Sequence, residues 1–272
     1  MSKNLRQLQL KEYEMLKDVV SFCDRHNIKY FLIAGTLLGA MRHGGFIPWD
    51  DDIDIGMDLK NYNKFLKISK KQFPDGYFVQ NIHSEPKINN PWTKIRINGT
   101  TSMDPRLTNY EIHFGICMDI FLINGISDNQ FKKRIQLFCS KTQRKLMKKY
   151  YHLEGNGTGN CKRINRILPE FVRRFLIRCF DSMINIDISK TKYCYNTFFE
   201  GVGYPFKYES DWFKNLKKIK FEDEWFYSPC EPKKYLEARY GDWQTPPPAS
   251  ERIGHGEIII DLDKDYSEYR NI

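Results

Sequence analysis

Residues 34–56, Ala34 to Gly56, read AGTLLGAMRHGGFIPWDDDIDIG, and this stretch decides the fold. Its second half, Asp50-Asp51-Asp52-Ile53-Asp54-Ile55, alternates acidic and apolar residues with the two-residue period of a strand. That period places Asp52 and Asp54 on one strand face, Cα atoms roughly 6 to 7 Å apart, with Asp51 on the other. The first half puts Gly35 and Thr36 at the start of a short helix, Leu37 to Met41, capped by Thr36 and ended by His43-Gly44-Gly45. Read alone, the acids also suit a solvated turn. The helix start beside them changes the balance, because N–H groups at a helix N-terminus bind phosphate and face the same end of the sheet. Paired carboxylates suit a hard cation such as Mg²⁺, which draws further ligands from substrate phosphates. A phosphate cradle beside a metal grip is a layout for phosphoryl transfer.

Outward from this stretch, Leu8, Tyr13, Leu16, Val20 and Cys23 recur near the helical period, predicting an amphipathic helix from about Leu8 to His26, closed at Asn27. Tyr30 to Ala34, a short apolar run, is read as a buried strand. A helix is expected over 59–72, then short strands around Phe78-Val79 and Lys94 to Ile97. Glu111 to Ile123 reads as one more strand with a single acid in its apolar part, Asp119. A buried carboxylate needs compensation, and a cation shared with Asp52 and Asp54 would supply it. The expected architecture is mixed α/β, one compact domain over residues 1–272: a core of 8–125, a basic helical insertion of about 131–181, and a C-terminal segment of 182–272.

The formal charge is +9, and it is unevenly placed. Between Phe131 and Arg178 fourteen Lys/Arg face two acids, Glu154 and Glu170, over two helical patterns: Phe131 to about Tyr150, and Pro169 to Asp181. Ile135, Phe138, Leu146, Phe171, Phe175 and Leu176 lie among those cations at helical spacing. Such a segment implies anionic surroundings: substrate phosphates, a lipid surface or nucleic acid. No helix-turn-helix, zinc-finger or RNA-binding aromatic pattern accompanies it, so no nucleic acid is expected as a partner. An anionic membrane remains open as a peripheral contact.

No apolar run approaches the roughly 20 residues that cross a bilayer, and the N-terminus lacks an apolar signal-peptide core. A cytoplasmic protein is expected, with room for peripheral attachment at the inner face of the membrane. Seven cysteines without a C-x-x-C pair are read as reduced, packed thiols.

The stretch from Ala34 to Gly56 resembles the signature of the LicD family, bacterial phosphocholine transferases of cell-surface glycans related to the fukutin proteins. Met118-Asp-Ile-Phe121 is similar to the family's later D-I-F strand, and Tyr240-Gly-Asp-Trp243 with the prolines after it to its C-terminal segment. The resemblance implies a nucleotidyltransferase-like core sheet flanked by helices. It also implies a divalent cation, Mg²⁺ or Mn²⁺, and a CDP-alcohol donor, with CDP-choline favoured. Asp52, Asp54 and Asp119 would be the catalytic metal carboxylates, and Gly35 with Thr36 the phosphate turn. The acceptor would be a glycan or lipid-linked glycan, and CMP would be released. Arg42 and His43, between turn and acids, are candidates for donor phosphate; Lys94 and Arg96, alternating on one strand face, for charge on the transferred group. Arg252 and His255 could close over the site, and Trp49 and Trp92 could stack on cytosine or enclose an ammonium group. Attack at the nucleotide-bearing phosphorus would instead make the enzyme a nucleotidyltransferase. A nucleic-acid or membrane-binding module is the non-enzymatic alternative.

Overall fold

The computed structural model describes residues 3–88, 90–147, 168–196, 207–252, 254 and 258–270. Helix α1 (Lys3–Arg25) packs Leu8, Met15, Leu16, Val19, Phe22 and Cys23 into the core, as its periodicity predicts. Strand β1 (Phe31–Leu32) leads into α2 (Ala34–His43), which ends at Gly44 in the left-handed conformation, φ 73°. Strand β2 (Asp54–Asp58) and α3 (Leu59–Gln72) follow; the Asp58 side chain caps α3 by accepting from the Asn61 N–H. Then come β3 (Tyr77–Gln80), β4 (Thr93–Ile97), β5 (Thr101–Met103) and the long buried β6 (Cys117–Ile126).

The basic helices are α4 (Gln130–Met147) and α5 (Glu170–Ile184). Strands β7 (Tyr193–Asn196) and β8 (Tyr208–Glu209) precede the short α6 (Asp211–Lys214). A hairpin of β9 (Leu216–Phe221) and β10 (Glu224–Pro229) leads to α7 (Pro232–Tyr240) and β11 (Ile259–Asp261).

Seven strands form the main sheet, in the order β1-β2-β6-β4-β3, with β7 joining β6 and β8 joining β7. Among the described residues only the β2–β6 pair in this sheet is parallel. The mixed α/β class is therefore as expected. Beyond residue 182, β7 extends the main sheet beside β6, and β11 pairs with β5 in a separate two-stranded sheet.

Three local expectations are corrected. Helix α2 begins at Ala34, so Thr36 lies inside its first turn and does not cap it. Strand β2 begins only at Asp54, which leaves Asp52 in the approach to the strand, not on it. Strand β6 starts at Cys117, and residues 111–116 are irregular. The β9–β10 hairpin has no counterpart in the expected elements. Its Lys-rich first strand, Leu216-Lys-Lys-Ile-Lys-Phe221, exposes Lys217, Lys218 and Lys220, and these charges break the two-residue period that would mark a strand. Among the described residues six cysteines are free; Cys161 lies outside them.

Candidate active site

The acidic stretch is fastened to the sheet through Asp54. The Ile33 N–H donates to the Asp54 carbonyl at 3.2 Å, and the Asp54 N–H donates to Thr36 Oγ1 at 2.7 Å. Thr36 thus ties the first turn of α2 to the start of β2. Ala34 at that junction has φ 48°, a left-handed backbone that costs a non-glycine residue about 1–2 kcal/mol. Its N–H donates to the Tyr235 hydroxyl of α7 at 3.2 Å, one of the contacts that hold the bend. Gly35 serves a further purpose: a Cβ there would come within 2.7 Å of an Asp50 carboxylate oxygen. The start of α2, expected to cradle phosphate, has the Asp50 carboxylate against it.

Register brings the remaining groups together. Asp54 is the partner of Asp119 across β2–β6, and Asp119 is the partner of Lys94 across β6–β4. Partners on neighbouring strands share a face, so Asp54, Asp119 and Lys94 form a row across three strands. Asp119 accepts from Lys94 Nζ through Oδ1 at 2.6 Å and from Trp92 Nε1 through Oδ2 at 2.7 Å. The compensation expected from a cation is therefore supplied by Lys94 and Trp92. Burial opposes the Lys94 charge, but Asp119 and, more weakly, Cys117 hold its pKa above the ordinary lysine value.

Asp54 is in the opposite situation. It is buried, and burial together with the negative charges of Asp52, Asp119 and Asp50 raises its carboxyl well above the usual range; Arg239 of α7 opposes them weakly. Glu12 of α1 adds one more buried carboxyl at this end of the sheet. Its Oε2 has no hydrogen-bond partner, and burial, then Asp52, Cys117, Asp51 and Asp50, raise its pKa well above the ordinary value.

Cations gather around Trp49. The guanidinium of Arg42 lies 6.0 Å and that of Arg252 5.2 Å from the Trp49 ring centre. Burial and the charge of Arg252 lower the pKa of Arg42, so the two guanidiniums repel. Backbone carbonyls hold them: Arg42 donates to Trp243 O and Arg252 to Pro247 O, both at 2.9 Å. Gly254 brings the same segment close to Asp51, where a Cβ would lie 3.2 Å from Oδ1.

Of the residues predicted from sequence, Asp52, Asp54, Asp119 and Lys94 converge electrostatically, and Arg42 and Arg252 meet over Trp49. Arg96 is engaged elsewhere, with Nε donating to Gln80 and Nη1 to the Gly115 carbonyl, both at 2.7 Å. His43 touches Trp49 edge-on, and burial followed by Arg42 lowers its pKa. Trp92 packs on Phe121 and donates to Asp119. His255 lies outside the described residues. Glu12 and Arg239 were not among the predicted site residues. Glu12 carried a usable signal, since it lies four residues from Leu8 and from Leu16 on the buried stripe of α1, where an acid is anomalous.

Carboxylates fit a hard cation by their chemistry, and burial with the neighbouring acids raises the proton affinity of Asp54. Asp119 has both oxygens engaged. Among the described residues no group of three or more His, Cys, Asp or Glu side chains is arranged to hold a metal ion. Any cation here would depend on ligands from its substrate as well as on Asp52 and Asp54.

Residues 27–136 match the family model for the LicD/FKTN/FKRP nucleotidyltransferase domain. The chain is 41% identical over 76 residues to the lipopolysaccharide cholinephosphotransferase LicD of Haemophilus influenzae, covering 28% of this chain and 29% of that protein. It is 41% identical over 71 residues to an uncharacterized protein of Rickettsia typhi, covering 26% and 23%. Against human ribitol 5-phosphate transferase FKRP it is 44% identical over 48 residues, covering 18% and 10%. The matched stretches span less than a third of each relative. The family match holds β2, β4, β6 and the first turn of α2, and leaves out Glu12, Arg239 and Arg252. The chain thus carries, across residues 27–136, a domain of the LicD family.

Proposed function

We propose that this protein transfers a phospho-alcohol group, phosphocholine in the first instance, from a CDP-alcohol to a hydroxyl of a cell-surface glycan or its lipid-linked precursor and releases CMP. The observation that carries this reading is the juxtaposition of two mutually repelling guanidiniums, Arg42 and Arg252 on Trp49, with the buried carboxylate set around Asp54. Guanidiniums that repel each other gain most from a shared anion, and a diphosphate supplies one. Carboxylates beside a diphosphate suit a divalent cation, Mg²⁺ or Mn²⁺. The domain's likeness to a cholinephosphotransferase and a ribitol 5-phosphate transferase supports the alcohol phosphate as the group moved.

In this mechanism the acceptor oxygen attacks the distal phosphorus, the bond from that phosphorus to the bridging oxygen breaks, and CMP leaves. Asp54, in its ionised form, receives the hydroxyl proton. Arg42 and Arg252 orient the diphosphate. Lys94 holds Asp119 and thereby the row beside Asp54. A divalent cation, when bound through Asp52 and Asp54, would neutralise charge on the donor.

The test is a thermal-shift panel of CDP-choline, CDP-ribitol, CDP-glycerol and CDP-ethanolamine, each with and without Mg²⁺, against CMP and ATP. The proposal requires one CDP-alcohol to stabilise the protein most, and only with the cation. Equal stabilisation by ATP would reject it. Transfer of CMP to the acceptor, with phospho-alcohol released, would place attack at the nucleotide-bearing phosphorus.

A further inference from the structure

Helices α4 and α5 carry large apolar side chains where none is needed for packing. On α4 the inward face is complete: Gln136 donates to the carbonyls of Gly125 and Ile184, both at 2.8 Å, and Gln143 donates to Asp181. On α5 Arg173 is fully buried and donates to the carbonyls of Leu146 and Pro86. Leu146 and Ile177 close a small apolar cluster between the helices. Yet Phe131 is 71% exposed and Phe138 65% on α4, and Phe171 is 75% and Phe175 64% on α5. Phe131, Ile135 and Phe138 recur at the helical period on one outward stripe, and so do Phe171 and Phe175. Exposed aromatics grouped on two packed helices mark an interaction surface, not stray surface residues.

Charge identifies what that surface meets. Helix α4 holds six Lys/Arg and no Asp or Glu; Lys132 and Arg134 flank its aromatic stripe and Lys141 continues the basic run. On α5 Arg174 and Arg178 are exposed beside Phe171 and Phe175. Protruding phenyl rings set among cations match the interface of an anionic bilayer, where rings enter the acyl boundary and ammonium or guanidinium groups stay with the lipid headgroups. No described helix is long and apolar enough to cross a membrane.

We propose that α4 and α5 form a docking surface for an anionic lipid bilayer, with Phe131, Phe138, Phe171 and Phe175 inserting as anchors and the surrounding cations supplying attraction. Asp119 is near the start of β6 and α4 follows the end of that strand, so the docking helices lie at the far end of β6 from the acidic row. Docking therefore leaves the carboxylate end of the sheet uncovered, and it does not depend on the transfer chemistry proposed above.

The experiment is sedimentation of the full chain with vesicles of phosphatidylcholine alone and of phosphatidylcholine with phosphatidylglycerol. Wild-type protein is expected to bind the anionic vesicles, to bind the neutral ones at least tenfold more weakly, and to weaken as salt rises. Replacing Phe131, Phe138, Phe171 and Phe175 together by Ser should raise the lipid concentration for half-binding at least about tenfold, with an unchanged circular dichroism spectrum. Lys132→Glu, Arg134→Glu and Lys141→Glu combined should do the same. Equal binding of neutral vesicles, full binding by the Phe variant, or no vesicle binding would each overturn the proposal. So would size-exclusion data showing a dimer that the Phe substitutions dissociate, since the patch would then serve self-association. Binding of random DNA that the Phe substitutions leave intact, without binding to vesicles, would assign the cations to nucleic acid instead.

Discussion

Asp54 and Asp119 are register partners on the parallel strand pair β2–β6 of the main sheet, yet only Asp119 has a cation against it: Lys94, at 2.6 Å. Two carboxyls on one face are thereby made chemically different, one engaged in a buried ion pair and the other driven toward its protonated form. That asymmetry separates two substitutions the sequence treats alike.

Asp119→Asn should destabilise the protein by about 3 kcal/mol, because it leaves Lys94 buried without its counter-charge. Asp54→Asn removes a carboxyl that burial and like charges disfavour, so the melting temperature should hold or rise. Thermal denaturation of both variants at neutral pH checks this. A double-mutant cycle pairing Asp119→Asn with Lys94→Met should show a coupling of about 1 kcal/mol or more, since the two side chains act as one unit. Equal melting temperatures for the Asp54 and Asp119 variants would show that the ion pair contributes nothing.

Turnover should sort differently from stability. Asp54→Asn and Asp52→Asn are each expected to cut CMP release by orders of magnitude, and the combined variant should lose little more, as residues of one site do. Asp51→Asn, at the residue that faces Gly254, should keep activity within a few-fold. Measuring CMP release at saturating Mg²⁺ decides it; an inactive Asp51 variant would mean that the wrong carboxylates have been chosen.

Arg42→Gln or Arg252→Gln should raise the donor KM about tenfold or more, in line with the roughly 1.5–3 kcal/mol of a hydrogen bond to a charged group, with a smaller change in kcat. Without ligand, losing either guanidinium relieves the other, so the melting temperature should not fall. The two measurements together distinguish a diphosphate clamp from a pair of structural arginines, whose removal would lower stability and leave KM alone.

Glu12 makes a pH prediction whose sign follows from its raised pKa. Below the ordinary carboxyl value of 4.5 the side chain is protonated in folded and unfolded states alike and has no effect on stability. Above 4.5 the unfolded chain ionises while folded Glu12 keeps its proton. Wild-type stability is then lost at up to about 1.4 kcal/mol per pH unit until the folded pKa is reached. Glu12→Gln should remove this loss, matching the wild type at pH 4 and exceeding it at pH 7. Chemical denaturation at the two pH values tests it, and a Gln variant less stable at pH 7 than at pH 4, relative to wild type, would contradict it.

Much of the fold was legible because it is local. The period of α1, the span of α3, the apolar β6 and the two basic helices follow from side-chain spacing, which a chain carries in its own order. Element starts were less legible. Thr36 reads as a cap, but its hydroxyl accepts the Asp54 N–H, a contact across eighteen residues that no local pattern encodes. Phe138, Phe171 and Phe175 lie at core-like spacing, but the inward faces of α4 and α5 are already filled by Gln136, Gln143, Leu146, Arg173 and Ile177, and the rings are left in solvent.

The sequence by itself determined which chemistry is present: the acids from Asp50 to Asp54 and Asp119, the arginines, and the dense motif that identifies the family domain. Only the tertiary structure decided which of these groups share a charge. Strand register set Lys94 against Asp119 and left Asp54 among carboxylates. Chain return brought Arg252 over Trp49 beside Arg42, and packing of α1 buried Glu12 at the same end of the sheet. The reason is physical. Residue type fixes a formal charge, whereas protonation state and partner depend on burial and on distances of a few ångströms, which are set when remote segments pack.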